Sequence, residues 1–210
     1  MESLILLGAG THAKACIDVI ETEGRYKIKG ILDQPDRVGE DFLGYQLIGT
    51  VEDLRQLAPD HVFLVSVGQH LMSEPRTFLY KAVMEVGGQL ASPVSPLAQV
   101  SRHAQVGAGT LVLPHALVSA GAQVGVNCIL GAGCLIEPDA EVGDHCHIGS
   151  GAILNAGAQV GNLTLVGSRT VFEGRIKTPG RSAVPIGSLV YRTQRGEIKV
   201  FPEGLKHEDH

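Results

Sequence analysis

The chain has 210 residues, with 17 Lys and Arg against 22 Asp and Glu, a formal net charge of −5, 27 glycines, no tryptophan and 4% aromatic residues. That balance gives no basic stripe to neutralise phosphates, which excludes a nucleic-acid or anionic membrane partner, and it leaves a core of small and β-branched side chains, as in a repetitive β architecture. No run reaches the roughly 18 apolar residues of a membrane span, and "LILLG" after Glu2 lacks a cationic leader, so a soluble, cytoplasmic protein is expected.

In chain order, "SLILLGAGTHAKACIDVI" predicts a strand from Ser3 to Leu7, a glycine turn, and a helix whose apolar side is Ala13, Cys16, Ile17 and Ile20. Gly8, Gly10 and Ala13 form G-x-G-x-x-A, in which the glycines allow a tight turn and close approach of backbone to a phosphate at the helix N-terminus. A second strand, "YKIKGILD", ends at Asp33, where a ribose-binding acid would sit about 20 residues past the last motif position. Further strands are expected near Gln46 to Ile48 and from Val62 to Val67, with Gly68 bordering the same crevice at the carboxyl ends of the strands. A helix is expected from Met72 to Val86. Only about 90 residues precede the next kind of pattern, which leaves room for half of a Rossmann fold and one nucleotide.

From Val94 a six-residue rhythm sets in. Aliphatic residues recur from Val94, Val100 and Val106 through to Val166 and Phe172, and four residues after each comes a small one such as Ala116, Cys128, Cys134, Cys146 or Ala158. Gly follows the aliphatic at Gly107, Gly125, Gly131, Gly143, Gly149, Gly161 and Gly167. Each unit reads as a short strand plus a corner, three units to a coil, with aliphatic and small residues inside and Gly relieving awkward corner dihedrals. Cys128, Cys134 and Cys146 fall in the small inward slot, and the four cysteines of the chain form no CxxC pair, so packing explains the three and no metal site is expected. The expected organisation is an α/β half-Rossmann domain over 1–90, a parallel β-helix of hexapeptide repeats over 91–192, and an extension over 193–210 whose "HEDH" end is a polar tail.

The array resembles the hexapeptide-repeat acyltransferases, and that resemblance implies a left-handed coil, a homotrimer, and acetyl-CoA between neighbouring helices. With "GAGTHAK", "GILDQPD", "GTVEDL" and "VSVGQH", nearly the whole chain is similar to the sugar O- and N-acyltransferases of the sialic acid O-acetyltransferase type. The resemblance implies acetyl transfer to a nucleotide-linked amino sugar, with a UDP-sugar as the expected form. Carried over residue by residue, it puts the pyrophosphate at Gly8, Gly10, Thr11, His12 and Ala13, with Thr11 standing where a Gly is usual, and the uridine or ribose at Asp33.

Acetyl transfer needs a general base near the attacking atom and donors for the thioester oxyanion. The family pattern V-E-H-D-C-x-I-G aligns with "EVGDHCHIG" so that Asp144 and His145 stand in exchanged order. The resemblance then implies His145 as base, Asp144 holding its tautomer, and acetyl-CoA and oxyanion contacts from the next coil around Gly161, Asn162 and Gly167. His103, His115 and His147 occupy outward positions, where a lone imidazole is more often solvated or stacked than catalytic. Two other classes compete with this reading: a nucleotide-sugar-binding or assembly protein that kept the scaffold after its dyad eroded, and an NAD-dependent oxidoreductase built on Gly8, Gly10, Ala13 and Asp33.

Overall fold

The computed structural model describes residues 1–69 and 74–202. Its N-terminal unit is an α/β sheet: β1 (Glu2–Leu7), α1 (Thr11–Glu23), β2 (Tyr26–Leu32), β3 (Asp41–Phe42), β4 (Tyr45–Gly49), α2 (Leu54–Leu57), β5 (Val62–Val65), α3 (Glu74–Glu85) and β6 (Gln89–Leu90). The spatial order is β3-β4-β2-β1-β5-β6, parallel throughout except for the β3–β4 pair. The central β1 is fully apolar from Leu4 to Leu7 because both faces are covered, as expected of a parallel strand between helices. Chain order reverses between β1 and β5, which puts a ligand crevice at the carboxyl ends of those strands. The expected start of the third helix at Met72 lies outside the described residues.

The glycine rhythm unfolds as a left-handed parallel β-helix. Short strands pair in parallel with the strand 18 residues on, as in Val118 with Ile136 and Ile136 with Leu154. The inward positions behave as the spacing predicts: Val118, Leu130, Ile136, Ile148 and Leu154, with Ala122, Cys128, Cys134 and Cys146 in the small slot, are all essentially without exposure. The same register runs past Phe172 through Thr178, Val184 and Val190, with Ile176 filling the slot usually held by a smaller residue. Ser188–Arg192 then turns at Thr193 to Glu197 and pairs antiparallel with Ile198–Pro202. The "HEDH" tail lies outside the described residues.

The corner chemistry differs from the expectation. The glycines after the aliphatic residues are not the ones in left-handed backbone. Positive φ falls two residues later, in every unit from Gly109 to Gly187, at Asn127, Asp139, His145, Leu163 and their equivalents as well as at glycines such as Gly133 and Gly151. Gly125, Gly143, Gly149 and Gly161 are required for a different reason: a Cβ there would lie 2.4–2.5 Å from an atom of the next coil, or, for Gly143, closer still to the Asn162 side chain. Close stacking of coils, and not awkward dihedrals, selects them.

Because residues 18 apart stack, each of the three faces has its own character. One carries Leu117, Leu135, Ile153, Val171 and Leu189, an apolar column that is partly exposed, Leu189 at 43%. A second carries Gln105, Gln123, Glu141, Gln159 and Lys177 beside the glycine corners. The third begins with Leu111 and Ile129, each 1% exposed, and Leu111 belongs to the same apolar core as Leu4, Ile17 and Leu64 of the N-terminal unit. The α/β unit is therefore seated on the third face.

Candidate functional site

The crevice is built at the glycine turn. Gly8 has φ of 106°, and a Cβ on it would collide with Val67, so this glycine serves the chain's own packing. Gly10 has φ of −96° and nothing within 4 Å of the space a Cβ would take. Neither backbone nor packing demands Gly10, which leaves an open approach to the first turn of α1, whose N-terminus has no side-chain cap. Thr11, His12 and Ala13 form that turn, and their N–H groups with the helix dipole make it suited to a phosphate. Gly10→Ala should leave stability within about 0.5 kcal/mol but raise the KM or Kd for a nucleotide-linked ligand by about tenfold or more; unchanged affinity would remove the turn from the site.

Beside the turn lies a cavity of about 410 Å³ lined among others by Gly8, Asp33, Thr50, Glu52, Val67 and Phe78, a volume suited to a small organic ligand. Asp33 sits in it but is already engaged: Ala9 N–H donates to Oδ2 at 2.6 Å, Gln34 N–H to Oδ1 at 2.8 Å, and Arg37 to Oδ2 at 2.9 Å. The acid thus ties the end of β2 to the glycine turn as well as facing the cavity. Gly68 is placed for packing, since a Cβ on it would stand 3.2 Å from the His12 Cβ.

His12 points away from this cavity, into the junction between the two units. Its Nε2 is buried with no hydrogen-bond partner among the described residues, and burial, with Arg76 and His147 nearby, pushes its pKa down to about 3. The native state therefore refuses a proton that the unfolded chain accepts below about pH 6.5. Stability should be unaffected above that value and fall by about 1.4 kcal/mol per pH unit below it, roughly 2 kcal/mol at about pH 5. Urea midpoints at about pH 7 and 5 for the intact protein and His12→Asn check this; an equally steep loss in the variant would acquit His12.

The junction itself is organised by a residue that sequence reasoning missed. Arg76, on α3, is 1% exposed. It donates to Val65 O at 3.0 Å, to Val67 O, and to Asn127 at both O and Oδ1, 3.1 and 2.8 Å. Among the described residues no carboxylate forms an ion pair with it, and burial lowers its pKa to about 10. Asn127, fully buried at a left-handed corner, passes the contact on: its Nδ2 lies 3.0 Å from His145 Nδ1. The His145 ring also meets Tyr80 of α3 edge to face at 4.9 Å. His147 is brought to the same junction, with Nδ1 3.2 Å from Gln69 O, whereas His103 and His115 are exposed.

Asp144 does not hold the His145 tautomer as expected; Asn127 occupies that position. The cause is the corner geometry, which turns adjacent residues to different sides. Asp144 faces the polar face, where its Oδ1 accepts from Val126 N–H at 2.9 Å and its own N–H donates to Asn162 Oδ1 at 2.9 Å. This side-chain ladder stops at Asn162, because Gly180 stands in the next coil without a side chain, and no hydrogen bond among the described residues takes the Asn162 N–H. Asp144, Gly161 and Asn162 line one groove of about 340 Å³ with Gly125, Gly143, Glu141 and Lys177. Gly167 is on another corner, stacked against Ile186. Among the described residues no cluster suited to a metal occurs.

A Rossmann-like unit seated on a left-handed hexapeptide β-helix, with a crevice in the first and a polar groove along the second, defines the class of this protein. Residues 3–72 match the family model of the PglD N-terminal domain. No curated protein matches the chain by sequence. Among solved structures, the acetyltransferase domain of PglB from Neisseria gonorrhoeae FA1090 is 23% identical with a TM-score of 0.84, over 91% of this chain and 92% of that one. A mutant of perosamine N-acetyltransferase from Caulobacter crescentus, in complex with CoA and GDP-perosamine, is 22% identical with a TM-score of 0.84, over 95% and 97%. The PglB domain in complex with acetyl coenzyme A matches at 24% identity and a TM-score of 0.79, over 90% and 95%.

Proposed function

We propose that the protein is an acetyltransferase that moves an acetyl group from acetyl-CoA to the amino or hydroxyl group of a nucleotide-linked sugar, in the cytoplasm, where both substrates are made. The observation that carries this reading is the pairing of two cavities in one chain. One is a crevice ending at an uncapped helix N-terminus and an open Gly10; the other is a groove holding Asp144 beside the bare Asn162 N–H.

A UDP-linked amino sugar is the acceptor to try first, with a GDP-linked one beside it because the Caulobacter crescentus relative was solved with GDP-perosamine. The thin groove suits an extended pantetheine arm, with Lys177 on its rim to meet CoA phosphates and Asn162 N–H to meet the thioester oxygen. Asp144 and His145 are the polar side chains of the corner, and the Asp144 carboxylate in the groove serves as its proton acceptor. Gly161 keeps the groove floor low, and Gly167, stacked under Ile186, acts on acetyl-CoA through the shape of the next coil. The apolar column from Leu117 to Leu189, with Phe201 beside its end at 61% exposure, supports a homotrimer in which that face is covered.

The test is thiol release from acetyl-CoA with a panel of UDP- and GDP-linked amino sugars. Turnover with one acceptor supports the reading. Tight acceptor binding without turnover would favour the second reading, a nucleotide-sugar-binding scaffold, for which the use of the Asp144 carboxylate by Val126 N–H speaks.

A further inference from the structure

We infer that the Arg76–Asn127 pair fixes the His145 imidazole as a neutral Nε2–H donor, which makes both residues positioning residues of the corner and gives His145 a donating role in place of a proton-accepting one.

The argument starts at the guanidinium, which has donors only. The Asn127 side-chain atom 2.8 Å from Arg76 must therefore be the amide oxygen. That orientation leaves the NH2 on the other side, 3.0 Å from His145 Nδ1 and 3.4 Å from Arg76 O. An amide NH2 only donates, so Nδ1 accepts and the imidazole proton resides on Nε2. A doubly protonated ring would point Nδ1–H at another donor, and the network resists it. The surroundings lower the ring's pKa on balance: half-burial, with Arg76 and Lys81 of α3, disfavours its charge and outweighs the opposing Asp144. Tyr80 presses on the ring without supplying an acceptor to Nδ1.

The consequence for the chemistry rests on the proposed transfer. A ring whose Nδ1 is blocked and whose Nε2 already holds hydrogen cannot take the acceptor's proton, which passes instead to the Asp144 carboxylate in the groove and on to the CoA thiolate as the tetrahedral intermediate collapses and the C–S bond breaks. The ring can donate a hydrogen bond to an oxygen that gains negative charge in the tetrahedral intermediate, the task of an oxyanion donor. The exchanged order of Asp144 and His145 is then a different division of labour. Since Arg76 is fixed to the carbonyls at the end of β5, the state of the imidazole is set by how the α/β unit sits on the coil.

Nitrogen-15 NMR of the intact protein, with the His145 signals assigned by their loss in His145→Gln, reads the tautomer directly. The expected result is an unprotonated Nδ1 and a protonated Nε2 from about pH 6 to 8. Asn127→Asp, which places an acceptor opposite Nδ1, should swap the tautomer and raise the titration midpoint by about one pH unit or more. A protonated Nδ1 in the intact protein overturns the inference, as does an Asn127→Asp protein that folds and leaves the ring unchanged. In the acetyl-transfer assay His145→Gln, which keeps an N–H donor, should retain at least about tenfold more kcat than His145→Ala; equal losses would overturn the donor role. Absence of turnover in the intact protein would sink the acetyltransferase reading and leave the NMR result standing by itself.

Discussion

Arg76→Leu should lower the free energy of unfolding by about 3–5 kcal/mol, the range seen when one partner of a buried charged network is removed. Replacing a buried charge with an apolar side chain is often harmless when nothing is left behind. Here four acceptors are left: the carbonyls of Val65, Val67 and Asn127 and the Asn127 amide oxygen. An orphaned buried acceptor costs about 1–3 kcal/mol, so even partial repair by water leaves a large deficit. Arg76→Lys should recover only part of it, since one ammonium cannot span carbonyls on two structural units. Urea unfolding at fixed protein concentration measures the change. A loss below about 1 kcal/mol would mean that the junction does not depend on this side chain.

His145→Ala should reduce kcat by about 10²- to 10³-fold, the usual effect of removing one preorganised donor from an oxyanion site. KM for the nucleotide sugar should change little, because the crevice at Gly8, Gly10 and Asp33 is built from other elements. Truncating Asn127 as well should cost much less than a second full factor, since the two residues act as a unit. An equal fall in kcat and rise in KM would show instead that the imidazole holds the substrate. Activity within twofold of the intact protein would move the chemistry to the groove carboxylates.

The β-helix was legible because its signal is periodic and local. Val118, Cys128, Ile136 and Cys146 are inside for the reason their spacing gives. The glycine turn was legible because Gly8 and Gly10 follow directly on an apolar strand, and Asp33 directly follows the next strand, which pairs with the first and so returns beside the turn. What stayed hidden depends on contacts between distant segments. Arg76 follows a proline in an ordinary polar helix start, and nothing nearby says that it will be buried 51 residues away from its partner Asn127. Asn127 reads as a residue tolerant of a left-handed corner, which it is, while its second task needs Arg76 and His145 on either side. The expected Asp144–His145 pair failed because neighbours in sequence on a corner diverge in space, and the alignment of letters does not carry that angle. His147, read as a bystander, was drawn to the junction by the loop after β5.

The three faces of the coil impose a counting rule on change in this protein. Strands pair at an interval of 18 residues, so adding or deleting one whole coil lengthens or shortens the column while every later side chain keeps its compass bearing. A change of six residues keeps the inside inside, yet turns everything downstream by a third of a revolution. Made just before Gly125, it would carry the glycine corners with Asp144 and Asn162 off the polar face and send either the apolar column or the polar one beneath the α/β unit. The core would tolerate such a shift and the site would not, so the hexad governs whether the chain folds and the triple hexad whether its parts still meet.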